Sequence, residues 1–210
     1  MARRKREPNR LLVLILAALV AVNSILVISR LGREEPLPGE GVELPEYVTK
    51  DYIVKNPYSR PDKPLTKINA VVIHYVGNPG SSARANRNYF NNLALTHETC
   101  ASSHFVVGLE GEVIACVPLT EVAYASNDRN GDTVAIEVCH PDESGEYAPA
   151  TYDRVVELAA WLCETFALTP GEDVIRHYDV TGKICPKFYV ENPAAWETLK
   201  ADIAAEMEEN

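Results

Sequence analysis

The sequence has little positive charge beyond its first thirty residues. Residues 31–210 hold 14 lysines and arginines against 29 aspartates and glutamates, which gives them a net charge of −15. Proteins that bind nucleic acid place clustered lysine and arginine against the phosphates, and the sequence contains no such stripe. We therefore exclude nucleic acid as a partner.

Internal repeats and low-complexity tracts are also absent. The chain has 210 residues, of which 46% are hydrophobic, and this is enough to bury one ordinary core but hardly two. These properties predict a single folded domain.

The one long hydrophobic run lies near the N-terminus. Residues 11–29 are apolar except for Asn23 and Ser24, and residues 1–10 carry five basic side chains. A spanning helix needs about 20 apolar residues, whereas the apolar part of a cleaved signal peptide has about 7–15. The run also lacks a good cleavage site and a nearby cysteine that could take a lipid. We predict a cytoplasmic segment over 1–10 and a single-pass transmembrane helix over 11–29, with the rest of the chain outside the cell membrane. A cleaved and secreted form is the alternative.

A segment rich in proline and glutamate follows this run. Residues 30–65 show no long apolar period, which predicts an extended stalk. Within it, residues 52–60 have enough apolar and aromatic content to lie against the surface of the domain. The compact domain is then predicted over 66–207.

Hydrophobic periodicity over 66–207 predicts a mixed domain of strands and helices. The strand-like runs are 68–76, 102–108, 112–117 and 133–139, and the helical periods are near 82–95, 151–168 and 194–207. Residues 108–111 are typical of a hairpin turn between the second and third runs. In the fourth run, Val134, Ile136 and Val138 share the face that suits helix packing, while Glu137 stands on the opposite face among small side chains.

The chain contains five cysteines, and an odd number in an exported protein leaves at least one unpaired. Cys185 is our candidate for the unpaired thiol. The other four can be bridged or can be buried free thiols, and the sequence leaves both possibilities open. They are Cys100, Cys116, Cys139 and Cys163.

Three residues of metal-binding type stand at the ends of predicted strands or in loops. His74 ends the apolar run 71–73, and His177 and Cys185 lie in one short segment together with Lys183. Two imidazoles and one thiolate suit catalytic zinc, which keeps a fourth position open for water. Their spacing matches no short zinc-knuckle pattern, and a single histidine at the end of a strand is often structural.

Hydrolysis at such a centre also needs an acid or base and support for the developing oxyanion. Glu137 is the carboxylate that strand geometry places best for proton transfer. Lys183 could stabilise negative charge on the attacked carbonyl.

Four segments resemble the zinc-dependent N-acetylmuramoyl-L-alanine amidases of type 2. The resemblance is to the branch of prophage endolysins and Gram-positive cell-wall amidases, which is related to peptidoglycan recognition proteins, and it covers roughly residues 66–205 in order. The segments are VIHY at 72–75, ASSHF at 101–105, AIEV at 135–138 and RHYDVTGKICP at 176–186.

The resemblance implies an α/β fold with a central mixed β-sheet flanked by helices. It implies one Zn²⁺ in a groove, peptidoglycan as the substrate, and a zinc-activated water that cleaves the amide between N-acetylmuramic acid and L-alanine. His74, His177 and Cys185 match the zinc ligands, Glu137 the catalytic glutamate and Lys183 the lysine before the last ligand.

Two positions depart from the family pattern. Ser103 stands where lysozyme-type members carry a catalytic tyrosine, which leaves the acid and base role to Glu137 alone. Val76 replaces a hydroxyl residue that often follows the first ligand, and this changes the hydrogen bonds around that ligand.

The loop 123–130 is polar and aromatic, and Tyr124, Asn127 and Arg129 in it suit contact with a glycan or a stem peptide. An ordinary surface loop with an Asn-Gly turn explains the same residues equally well.

Two other functions also fit the sequence. One is a non-catalytic peptidoglycan-binding module of the same fold, although the presence of Cys185 argues against a lost metal site. The other is a cell-wall peptidase in which Cys185 is the nucleophile and His177 the base. Such a cysteine usually stands at a helix N-terminus, and the β-like residues 187–190 do not indicate one.

Overall fold

The computed structural model describes residues 14–15, 18–20 and 36–209. The chain divides into two compact units, Met1–Pro36 and Leu37–Asn210. Within the described residues, no helix has the length and apolarity needed to cross a membrane. Most of the predicted anchor at 11–29 lies outside the described residues, so the anchor stays a prediction.

The second unit contains six strands, six α-helices and a short 3-10 helix in its described part. The strands are β1 (Val48–Lys50), β2 (Ala70–Tyr75), β3 (Phe105–Val107), β4 (Val113–Ala115), β5 (Thr133–Val138) and β6 (Val174–Arg176). The α-helices are α1 (Ala83–Thr96), α2 (Pro149–Phe166), α3 (Pro170–Asp173), α4 (His177–Thr181), α5 (Lys187–Glu191) and α6 (Pro193–Glu209), and the 3-10 helix is Asn127–Arg129.

The strands form one mixed sheet in the order β1-β4-β3-β5-β2-β6. Only the β3–β4 hairpin is antiparallel, and every other pair is parallel. The central strands β2 and β5 pair over six residues each. Their near-continuous burial is typical of parallel strands that are covered on both faces.

Each face of the sheet carries its own layer of helices. Val134, Ile136 and Val138 pack on the side covered by α2 and α6, as the alternation along that strand predicts. Helix α1 covers the opposite side with Phe90, which packs with residues such as Val106. The predicted central mixed sheet flanked by helices is therefore confirmed.

The prediction of an extended stalk over 30–65 is wrong over residues 37–65, because these residues belong to the compact unit. Val48–Lys50 form the edge strand β1, which pairs with β4. Ile53 and Leu65 are 0% and 1% exposed. Proline is tolerated in edge strands and turns, so a proline-rich segment can still be folded against a sheet.

A salt bridge fixes the same segment. Arg60 donates to both carboxylate oxygens of Glu121 at 2.7 and 2.6 Å, and both side chains are largely buried. Paired hydrogen bonds in this geometry add orientation as well as energy. The folded boundary therefore lies near Leu37 rather than at residue 66.

The prediction of a β-like segment over 187–190 is also wrong. Lys187–Glu191 form helix α5, directly after Cys185 and Pro186. Phe188, Tyr189 and Val190 favour strands by propensity, but Tyr189 is buried against Tyr147 and Trp196. Tertiary packing decides the conformation of so short an element.

Candidate metal centre

Strand pairing places His74 and Glu137 side by side. His74 of β2 is the register partner of Glu137 of β5, so both side chains leave the same face of the sheet. This is the face opposite to the one that buries Ile73 and Ile136 beneath α2. The hydroxyl of Tyr147 donates to the carbonyl oxygen of His74 at 3.2 Å, which fixes the backbone at that position.

His177 reaches the same place from the neighbouring strand. Ile73 and Arg176 are register partners in β2 and β6, and His177 is the next residue, at the start of α4. Its ring centroid lies 4.6 Å from that of His74. The Arg176 guanidinium pairs with Asp179 at 2.8 Å, which holds the junction of strand and helix.

Cys185 completes the group from the loop after α4. Its thiol is 3.9 Å from Nδ1 of His74, and its carbonyl oxygen accepts from the Tyr178 N–H at 2.9 Å. The nearest ligand atoms of His74, His177 and Cys185 all lie within 4.8 Å of one another, and all three residues are buried. The structure thus brings together the three residues that the sequence suggested as metal ligands.

Two buried polar atoms at this centre lack a hydrogen-bond partner among the described residues. They are Nδ1 of His177 and Oε2 of Glu137. Unpaired buried polar atoms are uncommon, and a catalytic role, an ion or a water molecule can account for them. Two imidazole nitrogens and one sulfur are the donor types that zinc prefers, so the residues present fit this ion.

The protonation states of the histidines suit metal binding. Burial is the main cause that holds the pKa of His74 well below its ordinary value, and the charges of His177 and Lys183 act in the same direction. Burial followed by Lys183 also lowers the pKa of His177. Both rings are therefore neutral at pH 7, and each offers a lone pair.

Cys185 behaves differently from a reactive thiol. Burial, assisted by the charge of Glu137, raises the pKa of the Cys185 thiol to about 12. Without a cation the side chain is therefore a neutral thiol at pH 7, which is a poor nucleophile. A bound metal ion would instead deprotonate it.

Glu137 carries the pKa shift expected of a candidate acid or base. Burial raises the pKa of its carboxyl to about 8, and Lys183 acts in the opposite direction. A cation held nearby would favour the charged carboxylate. Perturbed carboxylates of this kind cluster at functional sites.

Lys183 stands at the rim of the centre. It is exposed, and its charge acts on His74, His177 and Glu137. Its backbone N–H donates to the Thr181 hydroxyl at 3.2 Å.

Sequence reasoning missed the partners of the two histidines. Oγ of Ser126 lies 3.3 Å from Nε2 of His74, and Oδ1 of Asn127 lies 3.0 Å from Nε2 of His177. The sequence of the loop 123–130 suits contact with a substrate or an ordinary surface turn. Nothing in its local sequence indicates that it folds back onto the histidines.

The other residues of that loop have separate contacts. Arg129 pairs with Asp132 at 2.8 Å, so its charge serves the loop itself. Tyr124 lines a cavity of about 370 Å³ together with Arg60 and Lys63. Tyr124 precedes Ser126 by two residues along the chain.

Ser103 and His140 are two further polar side chains near the sheet, and both contact backbone carbonyl groups. The Ser103 hydroxyl lies 2.9 and 2.8 Å from the carbonyl oxygens of Phe105 and Ala135, which share its single proton. His140 is 1% exposed, and its ring nitrogens face the carbonyl oxygens of Val76 and Asp142.

Known proteins resemble this chain in sequence and in fold. The sequence model of the family described as N-acetylmuramoyl-L-alanine amidase matches residues 64–188. The amidase BlyA of Bacillus subtilis (strain 168) is 32% identical over 179 residues, which are 76% of this chain and 47% of that protein. The amidase CwlL of Bacillus licheniformis is 31% identical over 74% of this chain and 46% of its own length. The chain therefore spans about half the length of these curated relatives.

A solved structure shares the fold as well. The catalytic domain of XlyA superposes with a TM-score of 0.62 at 25% identity, over 74% of this chain and 98% of that domain. The family match covers more than half of the chain, and it includes the three clustered candidate ligands up to Cys185. The chain belongs to the N-acetylmuramoyl-L-alanine amidase family, in the branch of Gram-positive cell-wall amidases and endolysins.

Proposed function

We propose that this protein is a zinc-dependent peptidoglycan hydrolase that cleaves the amide between N-acetylmuramic acid and L-alanine. The observation that carries the proposal is the convergence of the His74, His177 and Cys185 ligand atoms within 4.8 Å in a chain of the amidase family. The unpartnered Glu137 Oε2 beside them supplies the acid and base that hydrolysis needs.

His74, His177 and Cys185 would hold the ion through two neutral imidazoles and one thiolate. When bound, zinc supplies a Lewis acid that polarises a carbonyl and lowers the pKa of water toward 7. All three residues are buried, so bulk solvent has little access to their ligand atoms. This strengthens the electrostatic interactions of the charged groups at the centre.

Glu137 carries the proton transfer in this proposal. Its carboxylate accepts a proton from the attacking water as the new C–O bond forms, and it delivers the proton to the alanine nitrogen as the C–N bond breaks. The products are a free lactyl carboxylate and a free α-amine. Glu137 is rigidly placed for this exchange, because its strand pairs with β2 on one side and β3 on the other.

Lys183 is proposed to stabilise the oxyanion that develops on the attacked carbonyl. Its charge already acts on Glu137 and both histidines from the rim. A cation aimed at charge that develops only in the transition state lowers the barrier without tightening substrate binding.

We further propose that residues 11–29 anchor the enzyme in the cell membrane, with the amidase unit outside. The apolar run and the basic residues before it support this topology. Fractionation of cells and protease treatment of intact protoplasts would test it. Recovery of the chain in the culture medium, shortened at its N-terminus, would favour the cleaved form instead.

The main experiment incubates the purified full-length chain with peptidoglycan and measures new alanine amino termini. We expect new termini that disappear with a zinc chelator and return when zinc is added back. No new termini from protein that still sediments with the polymer would indicate a binding module. Cleavage that resists the chelator but stops after thiol alkylation would indicate a cysteine peptidase.

A further inference from the structure

The 3-10 helix Asn127–Arg129 and the residue before it contact both candidate histidine ligands. Ser126 Oγ lies 3.3 Å from His74 Nε2, and Asn127 Oδ1 lies 3.0 Å from His177 Nε2. One short loop thus contacts Nε2 of two rings, of which one is on strand β2 and the other is at the start of helix α4. None of the catalytic steps above uses these contacts.

The contact to Asn127 determines which nitrogen of His177 is free. An amide oxygen only accepts hydrogen bonds, so Nε2 of His177 must carry the proton and Nδ1 must carry the lone pair. Nδ1 is also the buried atom that has no partner among the described residues. On His74, Nε2 faces Ser126 and Nδ1 faces the Cys185 sulfur. Nδ1 of His74 is thus the nitrogen on the Cys185 side, and Nδ1 of His177 is the nitrogen left without another contact.

The backbone of Asn127 is held in an uncommon conformation. Its φ angle is +51°, in the left-handed region that asparagine tolerates better than most residues other than glycine. Such conformations persist where the surrounding structure fixes them and are often found at functional sites. Asparagine combines the tolerance for this φ with a side-chain acceptor that reaches His177.

Neighbouring residues hold the loop in place before any ligand binds. Oδ1 of Asn130 accepts from the N–H groups of Ala125 and Ser126 at 3.0 and 2.6 Å. The Thr133 hydroxyl donates to the Arg129 carbonyl oxygen at 2.7 Å, which ties the loop to β5. The strand that carries Glu137 thus also anchors the loop that contacts the histidines.

We infer that Ser126 and Asn127 are positioning residues that contact Nε2 of His74 and His177, leave Nδ1 of each ring to ligate the metal and thereby set the metal affinity of the centre. Partners of this kind fix the tautomer and orientation of a ligating imidazole. The inference rests on the proposed function for the identity of the metal. The orientation of the rings can be measured without any metal.

The test separates the backbone role of Asn127 from its side-chain role. Asn127→Gly accepts the left-handed φ but removes the acceptor, whereas Asn127→Asp keeps an acceptor oxygen at the same place. Asp128→Ala changes the adjacent exposed residue and serves as the matched control. Zinc affinity is measured by competition with a chromophoric chelator, and the His177 tautomer by nitrogen-15 NMR of the metal-free chain.

In the Gly variant, we expect zinc affinity to fall by about 10–100-fold, with loss of the uniform Nε2–H form of His177. The zinc affinities of the Asp variant and of the Asp128→Ala control should both stay within about threefold of that of the parent chain. This difference is much smaller than the one expected when His177 loses its hydrogen-bond partner. An unchanged affinity and tautomer in the Gly variant would overturn the inference. If the parent chain binds no zinc, the metal proposal fails, and the tautomer comparison alone decides the positioning role.

Discussion

His74 and Glu137 are directly opposed register partners on the parallel strands β2 and β5. One residue is a neutral, buried imidazole, and the other is a carboxyl whose pKa burial raises to about 8. Backbone hydrogen bonds of the sheet therefore set the distance between the candidate metal ligand and the candidate base. A rigid sheet gives a more precise separation than two loops could provide.

Replacing the carboxyl of Glu137 tests its assigned role in proton transfer. Glu137→Gln keeps the size and the strand pairing but removes the base, so we expect turnover to fall by about 10²–10⁴-fold. Zinc content and thermal unfolding should stay close to those of the parent chain. The measurement is the release of alanine amino termini from peptidoglycan under saturating zinc. A variant that retains near-normal turnover would remove Glu137 from the mechanism.

Replacing the thiol tests the ligand set. Cys185→Ser exchanges a thiolate for a neutral hydroxyl, so zinc affinity should fall by more than about 100-fold, beyond the effect of losing only a partner of a ligand. Cys100→Ser is the matched control, because Cys100 is an exposed free thiol. Metal content after dialysis against a weak chelator is the readout. Equal zinc in the two variants would exclude Cys185 as a ligand.

Removing the charge of Lys183 tests support of the oxyanion. Lys183→Met should lower kcat by about 10²–10³-fold while KM changes little, because the proposed interaction exists mainly in the transition state. Lys187→Met removes a nearby charge that instead contacts the Glu143 carbonyl oxygen, and it should leave kcat unchanged. A rise in KM at constant kcat would show that Lys183 binds substrate rather than stabilising the transition state.

The sequence predicted the long elements well because burial repeats along them. Strand β5 was expected over 133–139 and occupies Thr133–Val138, and helix α2 was expected over 151–168 and occupies Pro149–Phe166. In each element the apolar residues repeat at the spacing that places them on one face of the strand or helix. The short strand β1 has too few residues to show a period, and its pairing with β4 comes from tertiary structure.

The centre itself could be predicted only in part. His74, His177 and Cys185 were selected by residue type and by resemblance, and the structure places their ligand atoms together. Ser126 and Asn127 could not be found in this way. Their contacts depend on a loop that folds back across the sheet, and hydrophobic periodicity carries no information about such a loop.

The domain boundary near Leu37 predicts that two truncated chains differ in stability. A chain that begins at Leu37 should keep the stability of the compact unit. A chain that begins at Thr66 loses Ile53 and Leu65 from the core, which costs about 3–6 kcal/mol at about 1.5–3 kcal/mol for each buried side chain. It also leaves Glu121 without Arg60. Urea unfolding of both chains is the measurement, and equal midpoints would restore the stalk interpretation of residues 37–65.

His104 predicts how stability depends on pH away from the metal centre. Its Nδ1 accepts from the Ala135 N–H at 3.0 Å, and its Nε2–H donates to the Glu121 carbonyl oxygen at 3.0 Å. The buried ring is therefore held neutral, and burial lowers the pKa of His104 from 6.5 to about 4. The pKa of His104 is lower in the folded state than in the unfolded state, so between pH 6.5 and about 4 only the unfolded state binds the proton. The neutral His104 therefore contributes fully to the free energy of unfolding above pH 6.5, and this contribution is lost as the pH falls toward 4.

Urea unfolding at about pH 7.5 and about pH 4.5 measures this contribution. The free energy of unfolding of the parent chain should fall by roughly 2–3 kcal/mol more than that of His104→Gln, which has no proton to gain at this position. An equal loss of stability in the parent chain and in His104→Gln over this range would contradict the prediction, because protonation of His104 would then not destabilise the folded state.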